Sequence, residues 1–166
     1  MYIYKNEKNE VITFSENELN IPNLKKVKVD NIPENPTNYL YINGVFKLNE
    51  EKIKRNIIAK KLKEIEENYK KAITQPYIYN GNKFETDEKS LDILNKVIVA
   101  LPDNGSITWR TADNKMVTLT KQDLLIIAQE LLQRNQTYFL KRCELKDKLK
   151  SLDNLEDIKS FDTSII

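Results

Sequence analysis

Apolar side chains recur at alternating steps of four and three from Leu124 to Leu152, near the C-terminal end of the chain. This spacing places them on one face of an α-helix, so the sequence predicts a long helix with an apolar stripe. Leu125, Leu132 and Phe139 widen the stripe in its first half. We therefore expect the first half of this helix to lie in a protein core and the second half to form a narrower seam.

A second helix is predicted from Asn49 to about Ile73. Asn49 is a typical N-cap residue, and the two glutamates that follow it suit the positive end of a helix. Its apolar residues again fall at steps of four and three. They are Ile58, Leu62, Ile65 and Tyr69. A seam of two heptads is too short to hold a coiled coil by itself, so we expect another helix to cover it.

Two sources for that covering helix remain open: the narrower half of the C-terminal helix, or the same segment of a neighbouring chain. An antiparallel return within the chain would bring Lys146 or Lys150 near Glu64 or Glu67. The candidate partner-binding residues are the seven apolar residues of the two seams, Ile58, Leu62, Ile65, Tyr69, Leu145, Leu149 and Leu152.

Short alternating segments, joined by turn residues, occupy much of the remaining chain. Asn43-Gly44 and Asn80-Gly81 carry the pair favoured in type I′ hairpin turns, and residues 112–115 predict a further turn. The sequence therefore predicts an α+β protein in three parts. These are a small β-hairpin-rich N-terminal head (1–48), a linking helix (49–74) and a helical C-terminal body with two β-hairpins and the long C-terminal helix (75–166).

Charge and composition narrow the classes of function. The 27 basic and 25 acidic residues nearly cancel to +2, which argues against a nucleic-acid partner. The absence of histidine removes the commonest general base and a leading metal ligand. We expect no catalytic residue, no cofactor and no metal site. The one cysteine, Cys143, has no partner for an internal disulfide, and we expect it to be a passive thiol.

Two groups of residues have both a structural and a functional interpretation. Trp109 is expected to be a structural core aromatic that covers the base of the last helix, and the alternative is an exposed stacking platform. Glu85, Asp87 and Glu88 form the densest acidic group, which would suit a hard cation or a carboxylate pair. A helix N-terminus also attracts acidic residues, and we favour that explanation.

The order of features in the second half of the chain supports a resemblance. A helix end is followed by residues 77–87, a second helix, residues 107–114 with Trp109, residues 117–120 and a long leucine-rich helix. From about Tyr69 to Phe161 this order resembles an uncharacterised domain family that recurs in proteins associated with phage tail fibres and baseplates. The resemblance implies a phage tail or a tail-like bacteriocin and no catalytic residue. Residues 38–46 also resemble the small heads of short tail-associated proteins of Gram-positive phages.

These observations predict a non-enzymatic structural or adaptor protein of a phage-type contractile tail, which links the baseplate to the tail fibre. A tail-fibre assembly chaperone is the alternative, and a carboxylate-dependent cell-wall hydrolase is a more remote one. The expected partners are tail-fibre and baseplate proteins and a second copy of the chain, with no nucleic acid. No apolar run is long enough to cross a bilayer and the N-terminal residues lack a signal-peptide pattern. We expect the protein in the bacterial cytoplasm during assembly and then in the particle, with no membrane partner.

Overall fold

The computed structural model describes residues 1–165, and their fold is α+β, as predicted. Ile166, the last residue of the predicted body, lies outside the described residues. The elements in chain order are β1 (Tyr2–Lys5), β2 (Val11–Ser15), β3 (Lys25–Lys28), a 3-10 helix (Pro36–Asn38), β4 (Tyr39–Ile42), β5 (Val45–Leu48), α1 (Glu50–Ile73), β6 (Tyr77–Tyr79), β7 (Asn82–Phe84), α2 (Glu88–Ala100), β8 (Ser106–Arg110), β9 (Met116–Thr120), α3 (Lys121–Ser151) and α4 (Leu155–Ser160).

The chain divides into two compact units. The first contains Met1–Ala59 and Asp153–Ser160, and the second contains Lys60–Leu152 and the last residues from Phe161. The predicted boundaries lay at the two ends of the linking helix. The observed division instead falls inside α1, because the first turns of this helix pack with the head.

The first unit is built on a three-stranded antiparallel sheet with the order β2-β1-β3. Ile3, Val11 and Val29 form its small buried cluster. Glu10 connects this sheet to the start of α1, since its carboxylate accepts hydrogen bonds from Asn49 at 3.3 Å and Arg55 at 3.1 Å. The head of the sequence is therefore tied to the helix that follows it.

The second unit contains the hairpins β6–β7 and β8–β9 together with α2 and α3. Asn80 and Gly81 have φ values of 48° and 75°, as a type I′ turn between β6 and β7 requires. Thr120 and Asp123 form a capping box at the start of α3. The buried cluster of this unit comes from one strand of each hairpin and from both helices. Its members are Phe84, Leu94, Leu119, Leu124, Ile127 and Leu131.

The part of α1 that belongs to the second unit runs antiparallel to α3. Arg134 of α3 donates to the carbonyl oxygens of Ile73 and Gln75, each at 2.9 Å, at the C-terminal end of α1. Further along α3, Arg142 donates to Glu66 at 2.9 Å. Thr86 also donates to the Ile73 and Gln75 carbonyls, at 3.0 and 2.9 Å. The carbonyl of Ile73, the last residue of α1, and that of Gln75 just beyond the helix are therefore satisfied by α3 and by the residue that precedes the cap of α2.

Candidate binding groove

The seam residues predicted to bind a partner lie along the antiparallel helices and differ in exposure. Ile65, Leu145 and Leu149 are buried, with 0%, 7% and 0% of their surface exposed. Such side chains have no surface left for a partner chain, which favours the intrachain alternative for these three residues. Of the two sources considered for the covering helix, the chain's own C-terminal helix lies alongside this part of α1.

The remaining seam residues, Ile58, Leu62, Tyr69 and Leu152, are partly buried. The Arg142 guanidinium lies 4.9 Å from the centre of the Tyr69 ring, within range of a cation–π contact. The observed ion pairs between α1 and α3 differ from the predicted ones. Glu66, rather than Glu64 or Glu67, pairs with both Arg142 and Lys146. Hydrogen bonding from Lys146 holds the pKa of the Glu66 carboxyl below its usual range.

The apolar residues that widen the stripe of α3 are exposed. The exposed fractions of Leu125, Leu132 and Phe139 are 41%, 71% and 46%, so the expectation that this whole stripe lies in the core is wrong. The core uses Leu124, Ile127 and Leu131 instead. Each residue turns the helix by about 100°, so Leu125 and Leu132 lie well to one side of that buried line.

A groove runs between α2 and α3 beside these exposed leucines. Its volume is about 580 Å³, and a neighbouring groove of about 570 Å³ extends it toward the end of α1. Three residues line both grooves, Leu91, Asn95 and Asn135. The full lining of the first groove is Leu91, Leu94, Asn95, Gln122, Leu125, Ala128, Gln129, Leu131, Leu132 and Asn135.

All side chains that line the first groove are apolar or carry a neutral amide. Asn135 Oδ1 is buried and has no hydrogen-bond partner among the described residues. An amide oxygen in that position favours a ligand that donates a hydrogen bond. The arrangement can bind an apolar surface with a few polar groups, and it offers no group of the kind that transfers protons near neutral pH.

Trp109 lies at a different surface of the same unit. Its side chain is partly buried and packs against the buried cluster of the second unit. Trp109 is therefore neither a fully buried core residue nor an exposed stacking platform. One side of Trp109 lines a shallow cavity of about 310 Å³ that also includes Glu85, Ser90 and Arg110. Trp109 therefore contributes to the core and is also reachable from solvent.

The acidic group near the start of α2 has a capping role. Asp87 is the N-cap residue and accepts hydrogen bonds from the Ser90 backbone N–H at 3.1 Å and the Ser90 hydroxyl at 2.8 Å. These bonds hold the pKa of the Asp87 carboxyl below its usual range. Within residues 1–165 no group of three or more histidine, cysteine, aspartate or glutamate side chains is arranged to hold a metal ion.

A protein-family model matches most of the chain. The model of the family described as "Domain of unknown function (DUF4376)" matches residues 56–164. The chain belongs to the DUF4376 family. The DUF4376 region includes both hairpins of the second unit, α2 and α3, and the candidate groove therefore lies wholly within it.

No curated protein and no solved structure matches the chain. In the described part of the chain, no helix combines the length and the apolar character needed to span a membrane.

The sequence did not predict the groove residues of the DUF4376 region. No sequence pattern assigned a binding role to Leu91, Leu94, Asn95, Gln129 or Asn135. One signal was present, because Gln129 and Leu132 continue the heptad spacing of Leu125 on a face without charge. That spacing is typical of a helix face that binds another helix.

Proposed function

We propose that this protein is a non-enzymatic structural subunit of a phage-type contractile tail, where it links the baseplate to the tail fibre through protein–protein contacts. The observation that carries the proposal is the uncharged groove between α2 and α3, with Leu125 and Leu132 exposed beside it. An exposed apolar surface beside a groove between two helices suits an amphipathic helix of a partner protein.

The chemistry of the groove favours binding over catalysis. Its polar groups are the amides of Asn95, Gln122, Gln129 and Asn135, which hold no titratable proton. General acid–base chemistry needs a group whose pKa lies near the working pH and which reaches the substrate. Amides instead supply directional hydrogen bonds that orient a bound backbone or side chain, as expected for an adaptor.

The tail context is supported by the resemblance of residues 69–161 to the tail-associated domain family. The division into two units, each with its own buried cluster, also suits an adaptor, because each unit can bind a different neighbour. The DUF4376 description assigns no activity that would argue for or against this role.

The decisive experiment replaces Leu132 with lysine in a phage or tail-like particle that encodes this chain. Leu132 is 71% exposed, so Leu132→Lys is expected to fold, while the charge prevents an apolar partner from docking. The matched control is Ile78→Lys, at a residue of β6 that is 62% exposed and does not line the groove. We expect the control in purified tails at the wild-type copy number and Leu132→Lys to be lost from them.

The same purification tests the alternative roles. If the wild-type protein is required for fibre attachment but is missing from mature tails, it acts as an assembly chaperone and the structural proposal fails. Normal incorporation of Leu132→Lys would show that the groove is not the docking surface. Lysis of cell walls by the purified protein, abolished by Glu85→Gln, would establish a hydrolase instead.

A further inference from the structure

Six residues of α3 form a continuous face, of which five are exposed and the sixth, Cys143, is partly buried. This face, called here the α3 stripe, consists of Leu125, Gln129, Leu132, Gln136, Phe139 and Cys143. Their spacing alternates between four and three over the whole set, which is the spacing of a coiled-coil seam. At 1.5 Å per residue the stripe is about 27 Å long.

From the α3 stripe we infer that the protein self-associates, with α3 of a second copy packed in parallel and in register against α3 of the first. The inference rests on the proposed function, because it takes the uncharged surface beside the groove as a protein-docking surface and names its occupant. The helix face is preformed in the folded chain, so association does not bear the cost of nucleating a helix.

The absence of charge on the stripe, and of unpaired charge on the residues that flank it, favours a second copy as the partner. The residues that flank the stripe are Ile126, Ala128, Gln133, Asn135, Leu140 and Arg142. Arg142 is the one charged residue among them, and its charge is paired with Glu66 of the same chain. Charged flanking positions normally select a partner of opposite charge and reject an identical helix. A neutral face brings no like charges together when two copies meet, and the net charge of +2 adds little repulsion.

The helix α1 of the same chain is not available as the occupant. Arg134 and Arg142 of α3 hold α1 through Ile73 and Glu66. Arg134 lies on the opposite side of α3 from Leu132, because two residues turn the helix by about 200°. Arg142 lies at the edge of the stripe, with its guanidinium 5.6 Å from the centre of the Phe139 ring. The stripe therefore remains uncovered after α3 has made its contacts with α1.

The glutamines specify the orientation. In a parallel, in-register pair, each residue of the seam faces its own copy, so Gln129 meets Gln129 and Gln136 meets Gln136. Each amide then finds an amide to donate to and accept from, as a polar residue does at the core of a coiled coil. In an antiparallel pair, each glutamine position of one helix would instead face an apolar position of the other helix. The glutamine amides would then lose water without gaining a hydrogen-bond partner.

The first test is the oligomeric state of the full-length protein, measured by sedimentation equilibrium from about 1 to 200 µM, a range suited to a weak small interface. We expect a monomer–dimer equilibrium. Leu132→Glu should weaken it by at least about 100-fold, because two carboxylates would meet at the centre of the seam. Ile78→Glu is the control and should leave the equilibrium unchanged. Circular dichroism of both variants should match the wild type, since both residues are exposed.

The second test measures orientation by disulfide cross-linking. Cys143 is the single cysteine, so any covalent dimer formed under mild oxidation joins Cys143 to its own copy. We expect this dimer in the wild type, little of it in Leu132→Glu and none in Cys143→Ser. In the Cys143→Ser background, Leu125→Cys should also cross-link to its own copy, near the other end of the stripe.

The outcomes separate this inference from the proposed function. A monomer at every concentration, or a dimer that Leu132→Glu leaves intact, overturns the self-association. A dimer that cross-links through neither Cys143 nor Leu125→Cys overturns the parallel arrangement. A monomeric protein that still needs Leu132 to enter tails keeps the proposed function and refutes the dimer. A dimer that forms these cross-links but is missing from tails keeps the self-association and refutes the proposed function.

Discussion

Truncation of Ile65 gives the sharpest test of the contact between α1 and α3. Ile65 has no exposed surface and is adjacent to Glu66, which pairs with Arg142 and Lys146. Removing buried carbons from such a site loses their transfer free energy and leaves a cavity, so Ile65→Ala is expected to cost about 3–4 kcal/mol and Ile65→Val about 1 kcal/mol. Val99→Ala is the control: Val99 is 85% exposed, and its change should stay within about 0.5 kcal/mol.

Urea titration followed by tryptophan emission is the appropriate assay. Trp109 is the only tryptophan, and it lies in the same unit as Ile65, so its emission reports the unfolding of that unit. With a slope of about 2 kcal/mol per molar urea, a loss of 3 to 4 kcal/mol should lower the midpoint by about 1.5–2 M at unchanged slope. The midpoint of Ile65→Val should fall between that of Ile65→Ala and the wild type.

Two results would refute the reasoning about Ile65. If Ile65→Ala and Val99→Ala unfold at the same midpoint, the chain does not bury Ile65 in solution. If Ile65→Asp is stably folded and fails only to assemble with other chains, the seam is covered by a neighbouring chain and the intrachain contact is wrong.

Four further predictions follow from individual contacts. Trp109→Ala should cost about 1–3 kcal/mol in urea titrations followed by circular dichroism, less than a fully buried tryptophan, because its side chain is only partly buried. Arg134→Ala should cost about 2–3 kcal/mol of stability. Arg134→Lys should recover only part of that loss, because a single ammonium replaces a planar guanidinium that donates to two carbonyls. Glu66 has a lowered pKa, so its contribution is present above about pH 4.3 and is lost as pH falls through the lowered value; Glu66→Gln should flatten the stability profile in that acidic window. Residues 1–48 expressed alone should show no cooperative thermal transition, because their sheet is anchored by the start of α1.

Short-range chemistry explains the elements that the sequence predicted. Asn49, Asp87 and Thr120 each cap the helix that follows them through bonds to residues three positions later. The Asn-Gly turns need only two adjacent residues with positive φ, which these residue types adopt at low cost. Such signals depend on neighbours in the chain, so they are visible before any tertiary contact is known.

The contacts at the end of α1 depend on residues that are distant in sequence. Arg134 reaches the carbonyls of Ile73 and Gln75, and Thr86 reaches the same two oxygens. No spacing rule pairs an arginine with carbonyls some sixty residues earlier in the chain. The same limit explains why Glu66, and not its neighbours, meets Lys146, since the register between two helices is set by packing along their whole length.

By itself, the sequence determined that α3 is a long helix and that its first half carries a widened apolar stripe. Only the tertiary structure decided which part of that surface is buried. The hairpin β8–β9 and helix α2 pack on the side of Leu124, Ile127 and Leu131, which leaves Leu125 and Leu132 at the edge of the groove. The physical reason is that helix periodicity specifies which residues share a face, whereas burial depends on the surfaces that distant elements bring to that face.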